Sequence, residues 1–388
     1  IMLNIFKVDL FRTTLFIFIS MLSCVAYGHE SIATNEQFAA HLESIRVKYN
    51  LPAFAAMQIK DGVVTAAVTG YREAGNPTKA TITDRFHLGS CTKAMIATLV
   101  GIYIDNGKLT FDSTLKELFP DYEIHDELKK VTVAMLLSHM SGIVGGTKPE
   151  EWSELGLGFD KIKHSIQGVV KQRAFITKTI LSIKPEYTPG TQFNYSNFGY
   201  VILGHILENF GHNSWEDIIV ADLFRPLKMY NCSFGPPKNQ NKQHPTQPWP
   251  HEYSSKGPIP VFPGNSELAD NPLFMGPTGT VNCSLEDWSR FALLHLHVSK
   301  QKLLIKSTMQ KLHTVYPGQE YTYGGWGKDY KAWASSYALQ HAGSNGMNLA
   351  IITIVPEVNT ILLFATNVRI PDAQIPTVVK EVFKLDKQ

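Results

Sequence analysis

Residues 86–100 read FHLGSCTKAMIATLV. Met95, Leu99, Ile102 and Tyr103 recur at helical spacing, and Asn106-Gly107 supplies a C-terminal stop. The stretch predicts a helix opening near Ser90, with Ser90 and Lys93 one turn apart on one face. A hydroxyl there feels the positive end of the helix dipole, and its backbone N–H is one of the first turn's unpaired donors. Serine is a poor nucleophile until a base takes its proton. A partly desolvated amine one turn away holds its own proton less firmly and can help. The spacing alone is weak, because Ser113–Lys116 and Ser299–Lys302 also match. Those two lie in charged, surface-type text, whereas Ser90 follows two strands and a glycine. Alone, Ser90 would read as a helix N-cap.

Before this helix, Pro52–Ile59 and Val63–Gly70 are apolar and are separated by Lys60-Asp61-Gly62, a hairpin signal. After it, VTVAMLLSHMSGI (131–143), NFGYVILGHILENFG (197–211) and SLEDWSRFALLHLHVS (284–299) read as helices. Gly235–Gly279 holds ten of the 21 prolines and reads as irregular. SYALQHAG (336–343), NLAIITIVP (348–356) and NTILLFATN (359–367) read as strands, and IPTVVKEVFKL (375–385) as an amphipathic helix. The expected fold class is α+β: an antiparallel sheet built from both ends of the chain, flanked by helices, with an inserted mainly helical region. The expected division is an α/β part at 29–89 and 275–388 and a helical part at 90–274.

Two further segments offer chemistry. FNYSNFGY (193–200) carries Tyr195 and Asn197 on a loop before a helix. A phenolate near a lysine is favoured by its charge and could take and return a proton. QHAGSNGMN (340–348) places His341 and Gly343 at a strand end before a glycine-rich turn. The N–H groups of Ser344 and Ser90 could together form an oxyanion hole.

Ser90-Cys91-Thr92-Lys93, Tyr195-Ser196-Asn197 and His341-Ala342-Gly343, in that order, resemble the three motifs of the serine β-lactamase and penicillin-binding-protein superfamily. The branch most similar is that of class C β-lactamases, D-alanyl-D-alanine carboxypeptidases and related esterases. TPGTQFNYSNFGYVILGHILE (188–208) and PTGTVNCSLEDWSRF (277–291) are similar too, so the resemblance runs from about Leu51 to Asn367. It implies an acylated nucleophile at Ser90, an activator at Lys93 and a general base and acid at Tyr195. Asn197, His341, Gly343 and Ser344 would bind substrate. His341 stands where many β-lactamases have lysine, and Ala342 where a threonine or serine is usual. The expected function is an acyl-enzyme amide hydrolase of the D-alanyl-D-alanine carboxypeptidase kind. A β-lactamase, an esterase and a non-catalytic penicillin-binding sensor are the alternatives.

The 388 residues are 44% hydrophobic and 18% charged, with a net charge of +2, which gives no concentrated basic face for nucleic acid. No metal-ligand or nucleotide motif occurs, so no metal or cofactor is expected and the partners are small-molecule or peptide substrates. Residues 1–28, with TTLFIFISMLSCVA (13–26) behind Lys7 and Arg12, read as a cleaved signal peptide. An uncleaved anchor or a lipid-modified Cys24 are the other readings. After cleavage no membrane span is expected, and the protein would be periplasmic or secreted. Cys91, Cys232 and Cys283 then remain, and a Cys232–Cys283 bridge and separate buried thiols both fit.

Overall fold

The computed structural model describes residues 34–237, 241–264, 266–296 and 303–385. The expected signal peptide lies outside them. Helix α1 (Glu36–Lys48) leads into β1 (Ala53–Lys60) and β2 (Val63–Gly70). Asp61 and Gly62 both take positive φ, at 51° and 81°. That is what a two-residue type I′ turn demands, and the pairing Lys60↔Val63 follows from it. Next come β3 (Phe86–His87), α2 (Thr92–Asp105), α3 (Val169–Ser182), α4 (Asn197–Gly211), β4 (Cys232–Phe234), β5 (Val281–Cys283) and α5 (Leu285–Leu296). The chain closes with β6 (Gly327–Lys331), β7 (Ser336–Gly343), β8 (Leu349–Val355), β9 (Thr360–Thr366) and α6 (Ile375–Phe383).

Six strands form one antiparallel sheet in the order β2-β1-β9-β8-β7-β6. Both ends of the chain contribute, as the fold class required. Period-two alternation splits each central strand between two cores. Ala53, Ala55, Met57 and Ile59 of β1 face the core that holds α2 and α5. Phe54 and Ala56 face a smaller core with Leu42 of α1 and Val378 and Val382 of α6.

Helix α2 departs from the amphipathic reading, since every residue from Thr92 to Tyr103 is buried. Helices pack around it, α4 among them, and its residues share one core with those of the large sheet. A helix apolar all round is what that position requires. The helix also starts later than the sequence suggests. Gly89–Cys91 form a 3₁₀ turn, and α2 proper begins at Thr92.

A second, three-stranded sheet has the order β3-β5-β4. Cys232 pairs in register with Cys283 within it, and the two form a disulfide. The bond closes a segment of sequence separation 51 that contains the proline-rich stretch. On chain-entropy grounds a loop of that size is worth about 4 kcal/mol. Cys91 is a buried free thiol. Among the described residues no helix is long and apolar enough to cross a membrane.

Candidate active site

Ser90 sits half-buried in the 3₁₀ turn, and Lys93 lies one turn on, fully buried. The Lys93 ammonium group donates to Ser90 Oγ at 3.2 Å, to Asn197 Oδ1 at 2.9 Å and to the Thr278 carbonyl at 2.8 Å. Three neutral acceptors and no carboxylate surround it, and burial drives its pKa down to about 7. The amine is thus divided between its neutral and charged forms near neutral pH. Cys91, next to the serine, points away. Its thiol lies 3.6 Å from the His341 carbonyl oxygen, and burial pushes it well above its ordinary pKa, so it carries no thiolate.

The loop bearing Tyr195 and Asn197 is fixed by local capping. Ser196 caps α4 by accepting from the Gly199 N–H at 3.1 Å, and its hydroxyl donates to the Val144 carbonyl at 2.8 Å. The Ser196 N–H donates to His139 Nδ1 at 3.0 Å, and the His139 ring lies 4.3 Å from that of Tyr195. His139 holds φ at +59°, an uncommon backbone state for a non-glycine residue. Asn197 anchors through its N–H to the Gly145 carbonyl at 2.7 Å. Lys93 Nζ stands 4.8 Å from the Tyr195 ring centre, and the neighbouring Ser90 side chain favours the charged form of the phenol. Burial nevertheless raises the phenol far above its usual pKa. The sequence reading expects a phenolate held by a charged lysine. The structure instead pairs a neutral phenol with an amine that titrates near neutrality.

The strand edge meets the serine turn through two glycines. A Cβ on Gly343 would lie 2.0 Å from the Leu88 carbonyl oxygen and 2.7 Å from Ser90 N. One on Gly89, at φ +51°, would lie 2.4 Å from Ser344 N. Only glycine lets the Ser90 and Ser344 backbones approach so closely. Gly343→Ala is expected to push them apart and lower turnover about 10²–10³-fold, the cost of one oxyanion donor. Steady-state kinetics beside a melting curve will separate that loss from unfolding.

His341 lies close behind. Its Nδ1–H donates to the Ala342 carbonyl at 2.8 Å, so Nε2 is free to accept from the Tyr321 hydroxyl at 3.1 Å. Burial brings its pKa down to about 4, with the Lys93 charge acting in the same direction. The imidazole is therefore neutral, and Tyr321 occupies its Nε2.

Several residues in this arrangement escape a reading of motifs. Tyr321 and Thr278 are two. Another group lies beneath the oxyanion turn. His87 Nδ1 accepts from the Gly89 N–H at 3.2 Å, and its Nε2–H donates to Asp270 Oδ2 at 2.8 Å. Asp270 Oδ1 accepts from Asn345 Nδ2 at 2.9 Å. This buried chain ties the Ser90 turn to the turn after Gly343. No local pattern announces it, since the partners are 75 and 183 residues apart.

Ser90, Asn197 and Ser344 open onto a cavity of about 340 Å³, which Lys148 and Arg369 also line. No acidic side chain lines it among the described residues.

The sequence compares with known proteins as this geometry suggests. "Penicillin-binding protein 4" of Amycolatopsis lactamdurans is 24% identical over 338 residues, which is 84% of this chain and 83% of that protein. "Protein flp" of Staphylococcus aureus (strain MRSA252) is 24% identical over 67% of this chain and 49% of its own length, so the chain spans about half of it. In structure, a D-stereospecific amidohydrolase from Streptomyces sp. superposes with a TM-score of 0.68 at 20% identity. The match covers 90% of this chain and 99% of that one, and it shows a shared fold. The family model described as Beta-lactamase matches residues 36–378, a span that takes in the serine turn, the Tyr195 loop and the strand edge. The chain therefore belongs to the Beta-lactamase family.

Proposed function

We propose that this chain is an exported serine hydrolase that works through an acyl-enzyme on Ser90. It cleaves amide bonds in the manner of a D-alanyl-D-alanine carboxypeptidase. The observation that carries the reading is the Lys93–Ser90 contact at 3.2 Å with the amine poised near pH 7. Similarity to a penicillin-binding protein and to a D-stereospecific amidohydrolase fold supports the substrate class. The Cys232–Cys283 bond suits an oxidising compartment, periplasmic or extracellular.

In the proposed cycle neutral Lys93 takes the Ser90 proton as Oγ attacks the carbonyl carbon. The N–H groups of Ser90 and Ser344 receive the developing oxyanion. The C–N bond breaks as Tyr195 protonates the leaving nitrogen, and the Lys93 ammonium restores that proton. Water then attacks the ester and the same groups act in reverse. Asn197 holds Lys93 and the substrate amide. Lys148 suits a substrate with an anionic group on its acyl side, Arg369 being already paired with Asp372 at 3.0 Å.

An esterase is the second reading, favoured by Ala342, which leaves no hydroxyl on that strand position for a substrate carboxylate. Incubation with a peptide ending in D-Ala-D-Ala, with a penicillin and with an activated ester decides among them. Release of terminal D-alanine is the expected result. Ester turnover without D-alanine release overturns the peptidase in favour of the esterase. A penicillin adduct that never turns over, with no other product, points to a sensor.

A further inference from the structure

A second cavity, of about 710 Å³, begins at Tyr195 and Tyr321 and continues away from Ser90. Its course follows from where the edge strand stops pairing. Strand β6 accompanies β7 only as far as Gly327↔Gln340, so the β7 edge beyond that point has no strand beside it. There the cavity passes Ala342, which is exposed, and runs on to Ile351 of β8. On its far side stand Ile375 and Val379, four apart on α6 and therefore on one face. Both are half-buried, while Val378 beside them is buried in the smaller core. Three charged residues line it, Asp329, Lys331 and Lys380, and the first two are bonded to each other at 2.9 Å.

We propose that this groove is a leaving-group subsite for a linear alkyl chain, so that the preferred substrates are esters or amides whose departing alcohol or amine is aliphatic. The inference rests only on the acyl-enzyme step of the reading above, and it favours the esterase form over the carboxypeptidase, whose departing D-alanine carries a carboxylate. Tyr195 is the group that protonates the leaving atom, and it lines the groove. The departing fragment therefore leaves on this side, while the cationic cavity beside Ser344 receives the acyl side. The two cavities differ in chemistry in the same sense. Lys148 and Arg369 line the one, and Ala342, Ile351, Ile375 and Val379 line the other. Burying one methylene improves binding about three- to fourfold.

The test uses ethyl, butyl and octyl acetate with the full chain. The value of kcat/KM is expected to rise at least about 30-fold from ethyl to octyl. Val379→Glu, which puts a charge into the groove lining, should abolish that rise. In parallel, Ser90→Ala protein should bind octyl acetate at least tenfold more tightly than butyl acetate by calorimetry, and Ser90→Ala/Val379→Glu should not. A flat ester series, or a rise that survives Val379→Glu, overturns the subsite. If no ester is turned over at all, the calorimetric arm still decides the groove, since equal affinity for both chain lengths overturns it, while D-alanine release decides the acyl-enzyme reading separately.

Discussion

Ser90→Ala is expected to lower turnover of every substrate about 10⁴-fold or more, because Ser90 is the hydroxyl that the Lys93 amine reaches. The rival thiol, Cys91, is turned away and held protonated. The fold should survive. Lys93 keeps its bonds to Asn197 and Thr278, and the 3₁₀ turn is held by backbone contacts: Leu88 N–H to the Val281 carbonyl at 2.8 Å and Cys91 N–H to the Leu88 carbonyl at 3.1 Å. Losing one hydroxyl bond changes stability by about 1 kcal/mol at most. Kinetics and a thermal melt on the same preparation check both halves.

Lys93→Met should lower the acylation rate about 10³-fold, within the range for losing a positioned base. In the wild type the rate is expected to climb as pH rises through about 7, since only the neutral amine accepts the serine proton. The variant loses that inflection. Stability carries a second signature. Folding lowers the Lys93 pKa from 10.5 to about 7, so between those values the unfolded chain holds more protons than the native one. Stability from this group therefore rises with pH across that window. The Met variant should lack the rise, which denaturant titrations at pH 7 and pH 10 will show.

What could be read in the sequence was what is local. Ser90 and Lys93 share a turn, so their meeting needed only a helix start. The Asp61-Gly62 hairpin and the three C-terminal strands were legible because turn chemistry and period-two patterning act over a few residues. Tyr195 and Asn197 became legible through the order of motifs rather than through spacing. The remainder depended on tertiary placement. Tyr321 reaches His341 across β6, and His87 reaches Asp270 across 183 residues. The all-round burial of α2 comes from partners distant in the chain. The Cys232–Cys283 bond depends on strand register, which the sequence left open between a bridge and two thiols. The expected Tyr195 phenolate is disfavoured for a physical reason: burial raises a phenol and lowers an amine, so one desolvation moves the pKa values of Lys93 and Tyr195 in opposite directions.

The most direct measurement is intact mass followed by peptide mapping, after brief exposure of wild type and Ser90→Ala to a penicillin and to an activated ester. A single acyl mass on the peptide containing Ser90, and none on the variant, is predicted. An adduct that persists in Ser90→Ala, or that maps to another residue in the wild type, would contradict the assignment of the nucleophile.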